Sequence, residues 1–530
     1  MNILTRNIIE SIVIVGGGSA GWITAGILAS RFQSRVKNNQ LQITLCESPN
    51  IPTVGVGEGT WPTMVSTLKS MGVSESDFIK ECEVSFKQGS KFVGWDNDQG
   101  NGFYYHPFDD LQHSVDGVFA EYWLDQLKSQ QENQVPNQAM SFAKQFSVQH
   151  DICENALAPK SITDAEYSSA TNYGYHLNAG LFSSFLQKHC VEKLGVNHVL
   201  AEVNHIQQNA QGDITQLELD NATTLQGDLF IDCTGFRSLL LGQTLGVKLK
   251  PVNDILFADT ALATQVQYND DNAPIVSCTK STAQDAGWIW DIGLPTRRGV
   301  GHVFSSKHTT KEKAQDDLLT YIKSTGGNTD NLTIREINFQ SGYREKFWQN
   351  NCVAVGLSAG FLEPLEASAL VLVELSAMMI AEQLPLTSEV MEISAQRFND
   401  KFHYRWERAI DFLKLHYVLS NRTSPFWLDN KKPETIPERL QGLLKLWQHK
   451  IPNGHDFEAT GELFQATSYQ FVLYGSQFRT IPLFELEPYI KNYVAEHVSQ
   501  KNNREQQLLS SLPTNRDLLN KIHKYGLSKI

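Results

Sequence analysis

Apolar runs cut short by glycine set the frame of this chain. Ser11-Ile12-Val13-Ile14-Val15 is continuous and apolar, Gly16, Gly17 and Gly18 follow, and Thr24, Ala25, Gly26, Ile27 and Leu28 come next. The pattern predicts a buried strand turning sharply into a helix. Leu41 to Cys46 reads as a second buried strand ending at Glu47, then comes a glycine-rich loop from Val54 to Pro62 and another helix. From about 95 to 175 the chain is polar and aromatic with weak periodicity, which predicts a long insertion lying over the first domain. Leu200 to Ile206 and Asp213 to Leu219 read as two short strands, and Gly227 to Gly235 as a buried strand that returns to the first sheet. Residues 255 to 345 alternate apolar and polar positions in short runs, as in a second sheet. Asn351 to Gly356 is one more buried strand before a loop and a long helix. Beyond about 385 the chain becomes helical and amphipathic. These elements predict an α/β protein. Residues 1–380 form its main module, with insertions near 95–175 and 255–345, and 381–530 form a helical module.

The glycines carry the first chemical signal. Gly16 permits the tight turn, Gly18 lets backbone approach a pyrophosphate, and Gly21 lets helix and strand pack closely. Free amides at the helix start, including those of Ser19 and Ala20, attract phosphate. Glu47, 26 positions beyond Gly21, ends the next strand roughly where a carboxylate binds an adenosine ribose. This is a dinucleotide cradle, and the motif alone does not separate NAD from FAD.

Composition narrows the partners. The 530 residues suggest two or three modules sharing an interface, and 10% aromatic content is enough to wall a pocket with rings. A formal net charge of -13 and the absence of a basic cluster argue against nucleic acid or an anionic membrane. The seven cysteines are scattered and odd in number, which indicates neither a metal site nor a disulfide framework and fits a reducing cytoplasm. The amino terminus shows no signal-peptide pattern, and Ala369 to Ala381, which contains Glu374, is too short to span a bilayer.

Three separated segments fit one ligand: the amino-terminal cradle, Asp232-Cys233-Thr234-Gly235, and Val355 to Gly360 with its following helix. Together they resemble the FAD-binding, Rossmann-like frame of flavin monooxygenases. Further motifs are Gly16 to Trp22, Val56-Gly57-Glu58, Ser85-Phe86-Lys87, Trp288-Ile289-Trp290-Asp291-Ile292, and Pro364-Leu365-Glu366-Ala367-Ser368. In that order the chain resembles the flavin-dependent halogenases of the tryptophan halogenase family, over about residues 8 to 430. The resemblance implies that FADH2, supplied by a separate NAD(P)H-dependent flavin reductase, reacts with oxygen and a halide, chloride or bromide. The hypohalous acid formed crosses the protein interior to a small aromatic substrate, such as an indole. A flavin hydroxylase without halogenation and a non-catalytic flavin-binding protein remain as alternatives, and a homodimer is compatible with the sequence.

The resemblance also assigns residues. It makes Lys87 the lysine that holds hypohalous acid or forms a haloamine, and Glu366 the carboxylate that polarises the acid or takes the ring proton. From spacing alone Lys87 also fits a surface lysine, four positions before Lys91, so that both could share a helical face. Ser368 and Ala369 match halide-binding positions at a helix start. Trp288 and Trp290 match a pair that shields the flavin from substrate, with Gly293 in place of the family's proline, and they also fit a plain core. His106 and Phe108 match positions lining the aromatic pocket. Gly59, Val203, Leu357 and Leu370 match further cofactor positions. Ala367 replaces a usual serine, and Ser468-Tyr469-Gln470-Phe471 is a loose counterpart of the segment that holds free tryptophan. An indole or other electron-rich ring is at least as plausible a substrate.

Overall fold

The computed structural model describes residues 8–50, 57–100, 102–109, 111, 117–132, 141–457, 462–481 and 486–529. Val54, Gly55 and Val56 of the second glycine-rich loop lie outside them. The first sheet has six strands in the order Trp348–Gln349, Cys352–Ala354, Leu229–Asp232, Ser11–Val15, Gln42–Glu47 and Asn197–Leu200. All run parallel except the edge strand Trp348–Gln349. Ser11–Val15 is central, with Ile14 opposite Leu45 on one side and Ile231 on the other. Strands covered on both faces read as unbroken apolar runs, which is why four of these were legible. The chain winds outward from the first strand, then re-enters on its opposite side at Leu229–Asp232. Such a reversal opens a crevice at the carboxyl ends of the strands, where α/β sheets take their ligands.

Helix Ser19–Arg31 follows the glycine turn and is buried from Gly21 through Ala29. It lies between helices Ala179–Leu194 and Ser368–Gln383, so it has no polar face to show. Helix Ser368–Gln383 is the buried helix expected from its composition, and among the described residues no helix is long and apolar enough to cross a membrane.

The second sheet has seven strands: Arg335–Asn338, Thr260–Gln267, Arg297–Phe304, Gly287–Gly293, Thr279–Gln284, Gly89–Val93 and Phe103–Pro107. The expectation for 95–175 needs correction here. Its strand Phe103–Pro107 edges this second sheet, and its helices pack against carboxy-terminal helices rather than over the nucleotide sheet. Weak periodicity concealed the strand because four of its five residues are buried.

A small sheet pairs Glu58–Gly59 and Ser85–Lys87 on either side of Gly174–Leu177. Lys87 and Lys91 therefore sit on two successive strands, not on one helix face. Gly89, between them, has φ +150°, and a Cβ there would fall 2.7 Å from the His106 carbonyl oxygen. Helix Asn515–Tyr525 pins the small sheet from outside, where Asn515 donates to the Phe86 carbonyl at 3.1 Å.

One buried ion pair ties this region together. Lys160 Nζ donates to Glu75 Oε2 at 2.8 Å with both side chains fully buried. The Tyr173 and Tyr175 hydroxyls donate to the other oxygen at 2.6 and 2.8 Å. Lys160→Met would strand the Glu75 carboxylate, and removing one partner of a buried pair costs about 3–5 kcal/mol. A lower urea midpoint is expected, and an unchanged midpoint would show that the pair contributes nothing.

Candidate active site

The cradle is built as the glycine spacing requires. Gly16 has φ +115°, and a Cβ there would lie 2.2 Å from the Cys233 carbonyl oxygen. A Cβ at Gly21 would lie 1.9 Å from the Gly16 carbonyl oxygen, so helix and turn touch backbone to backbone. At Gly18 a Cβ would meet nothing within 4 Å. That open face precedes the uncapped amides of helix Ser19–Arg31, an arrangement that suits a pyrophosphate. Ser19 Oγ sits 3.2 Å from Ser183 Oγ. Ala20 closes against the third segment, where a Cβ on Gly356 would lie 2.7 Å from its methyl group.

Leu357 lies in the turn Gly356–Ser358, and Leu370 is buried in the helix after it. The Glu47 carboxylate folds over Gly17 and accepts from His198 Nε2 at 2.7 Å. Val203 opens strand Val203–Gln208, two residues after Ala201, whose N–H bonds the Glu47 carbonyl at 3.0 Å. These residues gather at one end of the nucleotide sheet. Gly59 packs against Lys87.

Gly59 brings the reactive residues together. A Cβ at Gly59 would stand 3.2 Å from Lys87 Nζ, 3.4 Å from Ala367 Cβ and 3.6 Å from His176 Cδ2. Lys87 is fully buried, and its ammonium has no hydrogen-bond partner among the described residues. It faces the Phe108 ring at 5.2 Å. Burial pulls the Lys87 pKa down to about 8, while the Glu366 charge works the other way. His176, also buried, is held well below the usual imidazole range by burial and by Lys87, with Nε2 2.8 Å from Thr279 Oγ1.

Glu366 hangs from a left-handed turn. Ala367 has φ +53°, a conformation that costs a non-glycine residue about 1–3 kcal/mol. It lets the chain leave Glu366 inside the protein and start helix Ser368–Gln383 immediately afterward. The Trp61 indole N–H fixes the Glu366 carbonyl at 2.8 Å. Oε1 lies 3.0 Å from His106 Nδ1 and 3.0 Å from His416 Nε2. Burial would raise this carboxyl, but His106 and His416 outweigh it and bring the pKa down to about 2. Helix Ser368–Gln383 starts without a side-chain cap, Ser368 being buried and Ala369 exposed.

Rings surround this pair. Phe412 and Phe464 stack at 3.8 Å, with Trp61 edge-on to Phe464 at 4.9 Å and His106 at 5.4 Å from Phe412. Trp288 and Trp290 share one face of strand Gly287–Gly293, both buried, with centroids 6.4 Å apart. His416, His176, Trp61, Phe412 and Phe464 escaped sequence reasoning. They come from separate helices, strands and loops, and only the Glu363-Pro364-Leu365-Glu366 turn that gathers them left a local signal. Among the described residues, no group of three His, Cys, Asp or Glu side chains could hold a metal ion.

Known proteins share this fold. The profile of the tryptophan halogenase family matches residues 11–486. The crystal structure of a tryptophan halogenase from Shewanella frigidimarina superposes with a TM-score of 0.93 at 45% identity, covering 99% of both chains. BrvH, a flavin-dependent halogenase from Brevundimonas sp. BAL3, superposes at 0.82 with 30% identity, covering 97% of this chain and all of that one. Tryptophan 7-halogenase RebH of Lentzea aerocolonigenes is 31% identical over 80% of this chain and 79% of its own. An open dinucleotide cradle, a buried lysine beside a buried glutamate, and a family match over nearly the whole length agree: this chain belongs to the tryptophan halogenase family, the FADH2-dependent halogenases.

Proposed function

We propose that Lys87 and Glu366 are the halogenating pair of this enzyme, acting on an aromatic ring bounded by His106, Phe108, Phe412 and Phe464. One observation carries the reading: a fully buried lysine ammonium without a hydrogen-bond partner among the described residues feels the charge of a buried carboxylate, Glu366. Stability alone gives no reason to keep such a group, because lysine is rarely buried without a partner. Gly16, Gly18, Ser19, Ala20, Gly21, Glu47, Val203, Leu357 and Leu370 would hold FAD, which would supply the oxidising chemistry that turns halide into hypohalous acid. Backbone amides at Ser368 and Ala369 support a halide seat, since small anions suit a helix start.

The protein's own groups then act on the acid. Lys87 donates a hydrogen bond to its oxygen and protonates it as the ring carbon takes the halogen, so water leaves. Glu366, already ionised, accepts the proton that the ring carbon sheds. The balance is one aromatic C–H and one hypohalous acid in, one C–halogen bond and one water out. Trp288 and Trp290 fit a wall between flavin and substrate. Gly59 acts here as a spacer, since a side chain would press on Lys87 Nζ.

The substrate side favours an indole or other electron-rich ring over free tryptophan. Ser468-Tyr469-Gln470-Phe471 is only a loose counterpart of the segment that holds free tryptophan, and Tyr469 packs its ring on Phe412 at 4.9 Å and Trp447 at 5.2 Å. All seven cysteines are free and buried, which supports a reducing compartment such as the cytoplasm.

With a flavin reductase, FAD, NADH and bromide, a mass screen of indoles, phenols and pyrroles is expected to show a brominated product. Lys87→Ala and Glu366→Gln are each expected to cut bromination by at least about 100-fold. Oxygen consumption by reduced flavin should persist, and a variant with wild-type yield would remove that residue from the pair.

Lys87→Met tests the cost of the buried charge. The folded pKa of about 8 lies below the ordinary 10.5, so the unfolded chain holds the proton more readily. That difference destabilises the fold by about 3 kcal/mol at most. The penalty is complete below pH 8 and fades as pH rises to 10.5. Lys87→Met should therefore be more stable than wild type at neutral pH, with the advantage shrinking above pH 8 in urea titrations. A pH-independent difference would contradict a depressed lysine.

A further inference from the structure

Glu366 does not stand alone; it ends a row of buried side chains. The Tyr104 hydroxyl lies 2.7 Å from His416 Nδ1, and His416 Nε2 lies 3.0 Å from Glu366 Oε1. His416 is fully buried, and its ring is stacked on Phe92 at 4.5 Å and edge-on to Phe412 at 5.3 Å. Tyr104 stacks on Phe92 beside His416, 4.8 Å from Phe92 with the planes 10° apart. Packing therefore leaves the imidazole no freedom to turn away.

The proton positions follow from this geometry. Burial lowers the His416 pKa, so the ring is neutral and carries one N–H. Were that hydrogen on Nδ1, the Nε2 lone pair would face the lone pairs of an ionised Oε1 at 3.0 Å in a dry interior. The hydrogen belongs on Nε2, on the side of Glu366 though not aligned with Oε1 as a hydrogen bond, and Nδ1 accepts from the tyrosine. Tyr104 can supply that hydrogen because burial holds its phenol protonated, well above the usual range.

We propose that His416, locked in one tautomer by Tyr104, is a positioning residue for halogenation: its Nε2 edge, 3.0 Å from Oε1 but off the line of a hydrogen bond, holds Glu366 by a close polar contact and leaves Oε2 as the oxygen that meets the substrate. The proposal rests on Glu366 acting as described above. His106 from strand Phe103–Pro107 contacts the same Oε1, and Lys87 faces the carboxylate from strand Ser85–Lys87. His106, Lys87, His416 and Tyr104 are thus the titratable groups around Glu366. His106 doubles as a wall of the ring pocket, whereas His416 lies behind the carboxylate, walled in by Phe92, Trp95 and Phe412. The two histidines divide the work: one contacts both substrate space and carboxylate, the other fixes the carboxylate alone.

The test uses the full-length enzyme with flavin reductase, FAD, NADH, bromide and indole, and compares His416→Leu, His416→Gln and Tyr104→Phe. His416→Leu is expected to lower kcat about 100-fold with little change in KM, the low end of what positioned acid–base groups contribute. The acid limb of its kcat profile should move up by more than about one pH unit, because Glu366 loses a polar contact that favours its charged form. His416→Gln keeps an N–H at the same place and is expected to restore most of the rate and the limb. Tyr104→Phe should shift both in the direction of His416→Leu by a smaller amount.

An infrared titration of the protonated-carboxyl band that disappears in Glu366→Gln reads the same shift without substrate. It therefore reports on the positioning even if Glu366→Gln proves active and the assignment of Glu366 fails. A His416→Leu enzyme with the wild-type limb and band, or a His416→Gln enzyme as impaired as His416→Leu, would overturn the proposal. Wild-type behaviour of Tyr104→Phe would overturn the tyrosine lock.

Discussion

Everything at this site depends on holding two charges of opposite sign in a dry interior without letting them neutralise each other. Lys87 has no hydrogen-bond partner among the described residues, while Glu366 is held by two histidines. A direct, short ion pair would satisfy both groups and leave neither available for chemistry. The fold prevents that collapse by anchoring each residue separately. Lys87 is fixed in a strand braced by helix Asn515–Tyr525, and Glu366 by the Trp61 bond to its carbonyl and by the histidines on its oxygen. The resulting frustration is local, and the cost is carried by the large apolar core around it.

Topology explains how the oxidising and halogenating ends stay apart. The cradle belongs to the parallel sheet, the aromatic wall to the seven-stranded sheet, and Lys87 to the small sheet. Gly59, on that small sheet, bears on both ends of the problem. The sequence pattern groups it with the cofactor, yet its missing side chain makes space for the lysine. Ala367 carries the complementary burden, accepting a left-handed backbone so that Glu366 can face inward one residue before a helix begins. Observed strain of this kind is commonest where geometry has been selected for chemistry.

The aromatic side chains serve two physical ends at once. Phe92, Tyr104, Phe412 and Trp95 pack His416 from several directions, so a polar ring is fixed by apolar contacts as firmly as by its hydrogen bonds. The same cluster keeps bulk water away from Glu366, which strengthens each N–H contact the carboxylate makes.

The sequence by itself determined the parallel sheet and the cradle, and the resemblance it carries pointed to Lys87 and Glu366. Strands buried on both faces must be apolar, a tight turn at a helix start must be glycine, and Ser85-Phe86-Lys87 and Pro364-Leu365-Glu366 are contiguous strings. Spacing alone left Lys87 and Lys91 free to share a helical face, because a four-residue interval says nothing of the glycine kink between them. The sequence also left Phe103–Pro107 hidden, since a strand buried on both sides and rich in aromatics has no period-2 signature. Only the tertiary structure decided that His416, 50 positions beyond Glu366, faces the same oxygen as His106, 260 positions before it. Contacts of that range are set by how helices and sheets pack in space, and packing leaves no mark in the local order of residues.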